Sequence, residues 1–203
     1  MGTKERRARS KENLREEILE AARALFVKEG YDNVSIRKIA DKIEYAPGTI
    51  YLYFEDKADI LRTICDETFV KLHRRLKAIA EDSGPPLDKL RRAERSYIQF
   101  ALDNSAQYTL VFMTRFDEST ALKPGPSDVG FLCFQDLCNI VQQCIDDDLL
   151  RSKDANETSQ AIWAGVHGVS SLLIAKCGFP FVEQSRLIDR VIDITIEGVR
   201  KPG

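Results

Sequence analysis

Apolar residues recur at three- and four-residue spacings through most of the chain. Leu14, Ile18, Ala22, Leu25 and Phe26 make one face, the pattern of an amphipathic helix. Gly30 follows as its C-terminal glycine. Ser35 is a good N-cap for a second helix. Val34 and Ile39 sit at the two positions of a hydrophobic staple around that cap, and Ile36, Ile39, Ala40 and Ile43 supply the buried stripe. Pro47 is suited to the first turn of a third, short helix at about 46–52, where its missing N–H has no partner to lose. Asp56 caps a fourth, and Asp59 places a negative charge in its first turn. The apolar face of that helix runs Ile60, Leu61, Ile64, Thr68, Leu72, Leu76, Ile79.

Gly84-Pro85-Pro86 breaks the pattern. Five more helices are predicted at about 87–103, 105–116, 128–149, 154–177 and 184–200. The segment Glu118–Gly130, with Pro124-Gly125-Pro126, reads as the longest loop. Phe131–Phe134 has strand-like composition, but the helical spacing continues through Leu137, Val141 and Ile145. The fold class is therefore all-α with about nine helices.

Composition narrows the class. The chain has 203 residues, 43% hydrophobic and 31% charged, with net charge −2. That fits a globular protein with a sizeable core. No apolar run approaches the roughly 20 residues needed to span a bilayer, and no apolar stretch follows the N-terminal charges, so no secretory signal is read there. No membrane association and a cytoplasmic location are expected. Lys4, Arg6, Arg7, Arg9 and Lys11 form a basic N-terminal arm. It is either a solvated tail or a segment lying along phosphates or in a minor groove.

Cys65, Cys133, Cys138, Cys144 and Cys177 show no C-x-x-C pair and no histidine at ligand spacing, so neither a zinc site nor a disulfide framework is expected. Most read as small buried residues, with a thiol sensor among Cys133, Cys138 and Cys144 as the alternative. His73 reads as surface. There is no nucleophile motif and no phosphate-binding glycine loop. The chain is expected to be no enzyme, with no catalytic residues, no metal site and no cofactor.

The chemistry concentrates in 35–57. A helix-turn-helix needs a first helix braced on the core, a tight turn and a second helix exposed to base edges. Ile36–Lys42, Ile43–Tyr45 and Ala46–Leu52 fill these roles. Gly48 lets backbone come close to DNA, and Thr49 suits a phosphate or a thymine methyl. Ile50 points inward. Tyr51 and Tyr53 would offer hydroxyls to phosphate while their rings pack on the scaffold, and Lys57 adds a point charge. Arg37 is either a backbone contact or solvated surface. Lys38 and Lys42 read as solvated surface, and Phe54 reads as core. With Ser35, Pro47 and Tyr45 these complete the candidate DNA-contacting set.

Residues 14–65 resemble the N-terminal domain of the tetracycline-repressor (TetR) family of bacterial transcriptional regulators. The resemblance is carried by Ile18-Leu19-x-Ala21-Ala22-x-x-Leu25-Phe26-x-x-x-Gly30-Tyr31, Ser35-Ile36-x-x-Ile39-Ala40 and Gly48-Thr49-Ile50-Tyr51-x-Tyr53-Phe54-x-x-Lys57-x-x-Ile60-Leu61. The chain departs from the family at Glu44, where glycine is usual, at Ala46, where a small hydroxylated residue is usual, and at Tyr45, usually aliphatic. Glu44 would then adopt a left-handed conformation.

The resemblance implies an N-terminal three-helix helix-turn-helix DNA-binding domain at 12–65 and a helical effector-binding and dimerisation domain at 66–203, with double-stranded DNA carrying a palindromic operator as partner and a homodimer through about 157–177 and 184–200. It implies a small-molecule effector in the body that releases a repressor, with the helix from Asp56 to about Glu81 as lever. Ala161, Ala164, Gly165, Gly168, Ser171 and Ala175 give the first dimer helix a small-residue surface. Trp163-x-x-x-His167-Gly168 is similar to the signature of one C-terminal subgroup. Trp163 and His167 are either pocket lining or a packed core pair. Tyr97, Phe100, Phe112, Phe116 and Phe134, together with Tyr108 and Phe131, are likewise core or pocket. The competing functional reading is a constitutive architectural DNA binder without an effector.

Overall fold

Gly30 takes φ 82° and donates its N–H to Phe26 O at 3.0 Å, closing helix α1, Thr3–Glu29. The computed structural model describes the backbone of residues 3–113 and 128–202. Ile18, Leu19, Ala22 and Phe26 form the buried face of α1, while Leu14 and Leu25 are half-buried. The backbone of the basic segment, read as a tail or an arm, forms the first turns of this helix. Lys, Arg, Glu and Ala are strong helix formers, and a helix already nucleated propagates through them.

Helix α2, Ile36–Lys42, starts where Ser35 Oγ accepts from Lys38 N at 3.3 Å. Val34 and Ile39 are both buried beside that cap. Helix α3 is Pro47–Ile50, shorter than expected, and its last turn relaxes over 51–53. Helix α4, Lys57–Ala80, begins with reciprocal caps. Asp59 N donates to Asp56 Oδ1 at 2.7 Å, and Glu55 N donates to Asp59 Oδ2 at 3.0 Å. Then come α5, Pro86–Asp103, and α6, Ser105–Tyr108, which passes into a π-helical turn, Thr109–Met113. Helices α7, Val129–Asp146, α8, Ala155–Ala175, and α9, Gln184–Val199, complete the chain. Phe131–Phe134 lies inside α7, as its spacing predicts. Phe116 and most of the loop expected at Glu118–Gly130 lie outside the described residues; at its end Asp128 Oδ1 caps α7 by accepting from Gly130 N at 2.7 Å. Among the described residues no strand forms, only an isolated antiparallel bridge between Leu150 and Arg200.

The chain divides into two compact units. The first holds the described residues 3–67 with 106–113. Its core joins Ile18, Phe26, Ile39, Ile50, Phe54, Ile60 and Ile64, and the π-helical turn packs on α1. Glu67 ties two helices by pairing with Arg23 at 3.1 Å and Arg15 at 3.6 Å. Tyr108 and Leu110 are buried residues of this unit.

The second unit holds residues 68–105 and 128–202, with α5, α7 and α8 in mutual contact and α9 packed on α5 and α8. Leu90, Ile98, Ile140, Cys144, Ile162, Val166 and Ile192 fill its centre. Gly165 is required by close packing: a Cβ there would stand 2.7 Å from Thr195 Cγ2. His73, expected at the surface, is half-buried against Asp136, its Nδ1 2.7 Å from Oδ2. The two lie 63 positions apart, so sequence spacing gives no sign of the pairing.

Candidate nucleic-acid interface

Helix α2 ends in a left-handed turn with complete backbone bonding. Tyr45 N donates to Ala40 O at 3.0 Å and Glu44 N donates to Asp41 O at 3.3 Å, with Glu44 at φ 60°. This is the Schellman arrangement, in which glycine normally holds the left-handed position. The turn therefore forms with Glu44 despite the crowding of its Cβ. Ala46 starts α3 in extended conformation with no side-chain cap, and Pro47 fills the first helical position. The single turn is instead held from beneath. Ile50 is fully buried and Phe54 nearly so, and the Arg15 guanidinium lies 5.4 Å from the Phe54 ring centroid.

That anchoring turns the other face outward. Pro47 and Gly48 are exposed, Thr49 and Tyr53 are half-buried, Tyr45 is 44% exposed and Tyr51 57%. The Tyr51 ring thus stands further from the scaffold than expected. Ser35 is spent on the α2 cap, and Arg37 and Lys42 are exposed. Lys38 is not free surface: its ammonium meets Glu29 Oε2 at 2.8 Å and Asn33 O at 2.9 Å. Lys57 is turned into the fold. Its ammonium donates to Tyr31 O at 2.9 Å and lies 4.0 Å from the Tyr31 ring centroid. It therefore straps the start of α4 to the loop after α1, while an ammonium has further donors to offer.

In the second unit, four of the candidate pocket residues come together. Trp163 Nε1 donates to Tyr97 Oη at 3.1 Å, and Tyr97 Oη lies 3.1 Å from His167 Nδ1. Indole is only a donor, so the phenol accepts from Trp163 and donates its own proton to Nδ1. Burial lowers the His167 pKa and favours the neutral ring that this chain requires. Phe134 packs 6.2 Å from Trp163, centroid to centroid. Phe100 stands apart from this chain of bonds, with Arg75 5.7 Å from its ring. Phe112 stacks on Tyr108 at 4.8 Å in the first unit.

Two further polar features escaped the sequence. Glu94 is 2% exposed, accepts from Thr195 Oγ1 at 2.6 Å, and its carboxyl is pushed up to about 8 by burial. Lys89 is buried and donates to Gln143 Oε1 at 2.8 Å. Nothing in a heptad pattern separates such charges from solvated ones. Burial disfavours the thiolate at the three sensor candidates: it pushes Cys133 up to about 12, Cys144 up to about 11 and Cys138 in the same direction. Among the described residues no three potential ligands gather around a metal position, and no helix is long and apolar enough to cross a membrane.

Residues 18–64 match the family profile of bacterial regulatory proteins of the tetR family, and residues 90–195 match the tetracyclin repressor-like C-terminal domain. An HTH-type transcriptional regulator of Staphylococcus aureus strain USA300 is 31% identical over 97 residues, which is 48% of this chain and 52% of that protein. The chain thus spans about half the length of the curated relatives it matches. Among solved structures, the fatty acid degradation regulator FadR from Bacillus halodurans superposes with TM-score 0.74 at 19% identity, covering 90% of this chain and 94% of that one. SmeT, the repressor of the Stenotrophomonas maltophilia multidrug efflux pump SmeDEF, gives 0.70 at 22% identity, covering 93% and 91%. At these identities the likeness is one of fold.

Proposed function

Because this chain belongs to the tetR family of bacterial regulatory proteins, we propose that it is a sequence-specific, DNA-binding transcriptional repressor. The observation that carries this reading is the outward face of Gly48, Tyr51 and the half-buried Thr49, set on the buried Ile50 and Phe54. Such a face presents one turn of helix to the major groove with little else in the way. Ser35, Arg37, Tyr45, Pro47, Tyr53 and Lys57 border it. Binding as a homodimer would set two such faces about 34–36 Å apart, matching a palindromic operator in the cytoplasm. The second copy would pack on α8 and α9. Support comes from the exposed Leu172 and Ile194, the exposed Ala161 and Ala164, and the open space over Gly168.

Repression would be relieved by a small molecule bound in the second unit. One neighbouring structure is a complex of SmeT with triclosan, which gives the expectation of an effector in this chain too. The Trp163–Tyr97–His167 chain of bonds would orient it, in keeping with a Trp-x-x-x-His-Gly subgroup. Helix α4, which carries residues of both units, would be the lever between effector and operator.

Selection from a randomised duplex library tests the DNA reading. An enriched palindrome, bound far more tightly than bulk DNA at physiological salt, is expected. Equal affinity for all duplexes would sink it. A compound screen read by thermal shift tests the effector: a stabilising compound should also lower operator affinity, and one that leaves it unchanged overturns the lever.

A further inference from the structure

Leu52 is 75% exposed, more than any other large hydrophobic side chain among the described residues. A lone exposed leucine needs no explanation, but this one has a particular place. Its N–H donates to Thr49 O at 3.2 Å, so helical winding continues through it. Positions three and four apart share a helix face. Leu52 therefore stands on the face of Thr49 and Gly48, opposite the buried Ile50 and Phe54.

Gly48 supplies an independent sign. Its φ is ordinary, and a Cβ there would meet nothing within 4 Å. The folded chain itself has no need of glycine at this position, although glycine weakens a helix relative to alanine. The missing side chain leaves room for something that approaches from outside. Beside that room the chain offers an aliphatic group with no hydrogen-bonding capacity. In the major groove the apolar feature of a base edge is the C5-methyl of thymine.

We propose that Leu52 is a specificity-determining residue that reads a thymine C5-methyl across the notch left by Gly48. The assignment rests on the DNA-reading function proposed above. It gives the operator a chemical requirement: one thymine in each half-site whose methyl group, rather than its hydrogen bonds, is recognised.

Replacing thymine by deoxyuridine removes that methyl and keeps every hydrogen-bonding group. On the duplex selected from the random library, each thymine of one half-site is replaced in turn, and affinity is measured at fixed salt for wild type and Leu52→Ala. Wild type should lose about fourfold at one thymine, the weight of one buried carbon. Leu52→Ala should bind the thymine duplex more weakly by a similar or larger factor and show no further loss with deoxyuridine there. Its melting temperature should match wild type, because the side chain is exposed. A wild type indifferent to every replacement, or a variant that keeps the wild-type sensitivity, overturns the assignment while leaving the regulator reading intact. Failure to recover any preferred duplex overturns both.

Discussion

At the scale of single residues, Gly48 and Lys57 separate stability from recognition. Gly48→Ala adds a helix-favouring side chain in open space. It should raise stability by about 0.5–1 kcal/mol while lowering operator affinity at least about tenfold, if backbone and base edge meet there. Chemical denaturation and binding on the same preparation check both halves; unchanged affinity would mean nothing approaches Gly48. Lys57→Ala should reduce the salt slope of binding by about 1. It should also cost about 1 kcal/mol of stability, because the ammonium leaves the Tyr31 ring and carbonyl. A loss of stability with an unchanged salt slope would make Lys57 a strap and nothing more. Ser35, Pro47 and Gly30 were legible in the sequence because their chemistry acts within a few residues. The direction of Lys57 was not, since its partner lies 26 positions away.

At the scale of elements, α5, α8 and α9 meet at Glu94, Thr195 and Gly165. Gly165→Ala would press a Cβ onto Thr195 Cγ2, and the stiff β-branched side chain has few ways to yield. A loss of about 1–3 kcal/mol is expected, measured by denaturant unfolding, and Thr195→Ser should recover part of it. Glu94 adds a pH dependence whose sign follows from its shift. Its pKa rises from 4.5 to about 8 on folding, so the folded state favours the protonated form. The stability this group contributes is complete below about pH 4.5 and is lost as pH rises through about 8, at up to about 1.4 kcal/mol per pH unit. Arg91 opposes the shift weakly and Thr195 through its hydrogen bond. Glu94→Gln should flatten this part of the profile; an unchanged slope in urea melts between pH 5 and 8 would show that Glu94 stays charged. The helices themselves were readable from spacing, but this junction was not: Glu94 and Thr195 lie 101 positions apart. The π-helical turn was also hidden, because its five residues make barely one turn, too short a stretch for a changed period to show.

At the scale of the whole molecule, the sequence pattern gives the class and order of elements, since the long amphipathic helices among the described residues need only their own periodicity. It does not give the partition. Residues 106–113 join the first unit although more than 60 residues separate them from α1 and α2, a long-range association that local pattern does not encode. The proposed dimer belongs to this scale. Ile194 is 57% exposed on α9, and Ile194→Glu places a charge where the second copy would pack. Sedimentation should show a monomer, with operator affinity reduced at least about tenfold. A dimer of undiminished stability would move the interface elsewhere.

Helix α3 is four residues long, far below the length at which a helix holds itself in water. Its shape is on loan from Ile50 and Phe54 and through them from the whole first unit. The forming of α3 and the folding of that unit are consequently one cooperative event rather than two. A mutational screen for lost DNA binding should therefore return core substitutions such as Ile50→Ala beside true contact residues. Only hydrogen exchange at the Tyr53 and Phe54 amides, both bonded to Ile50 O, would tell the two kinds apart: fast exchange marks a loosened core, and slow exchange marks a lost contact.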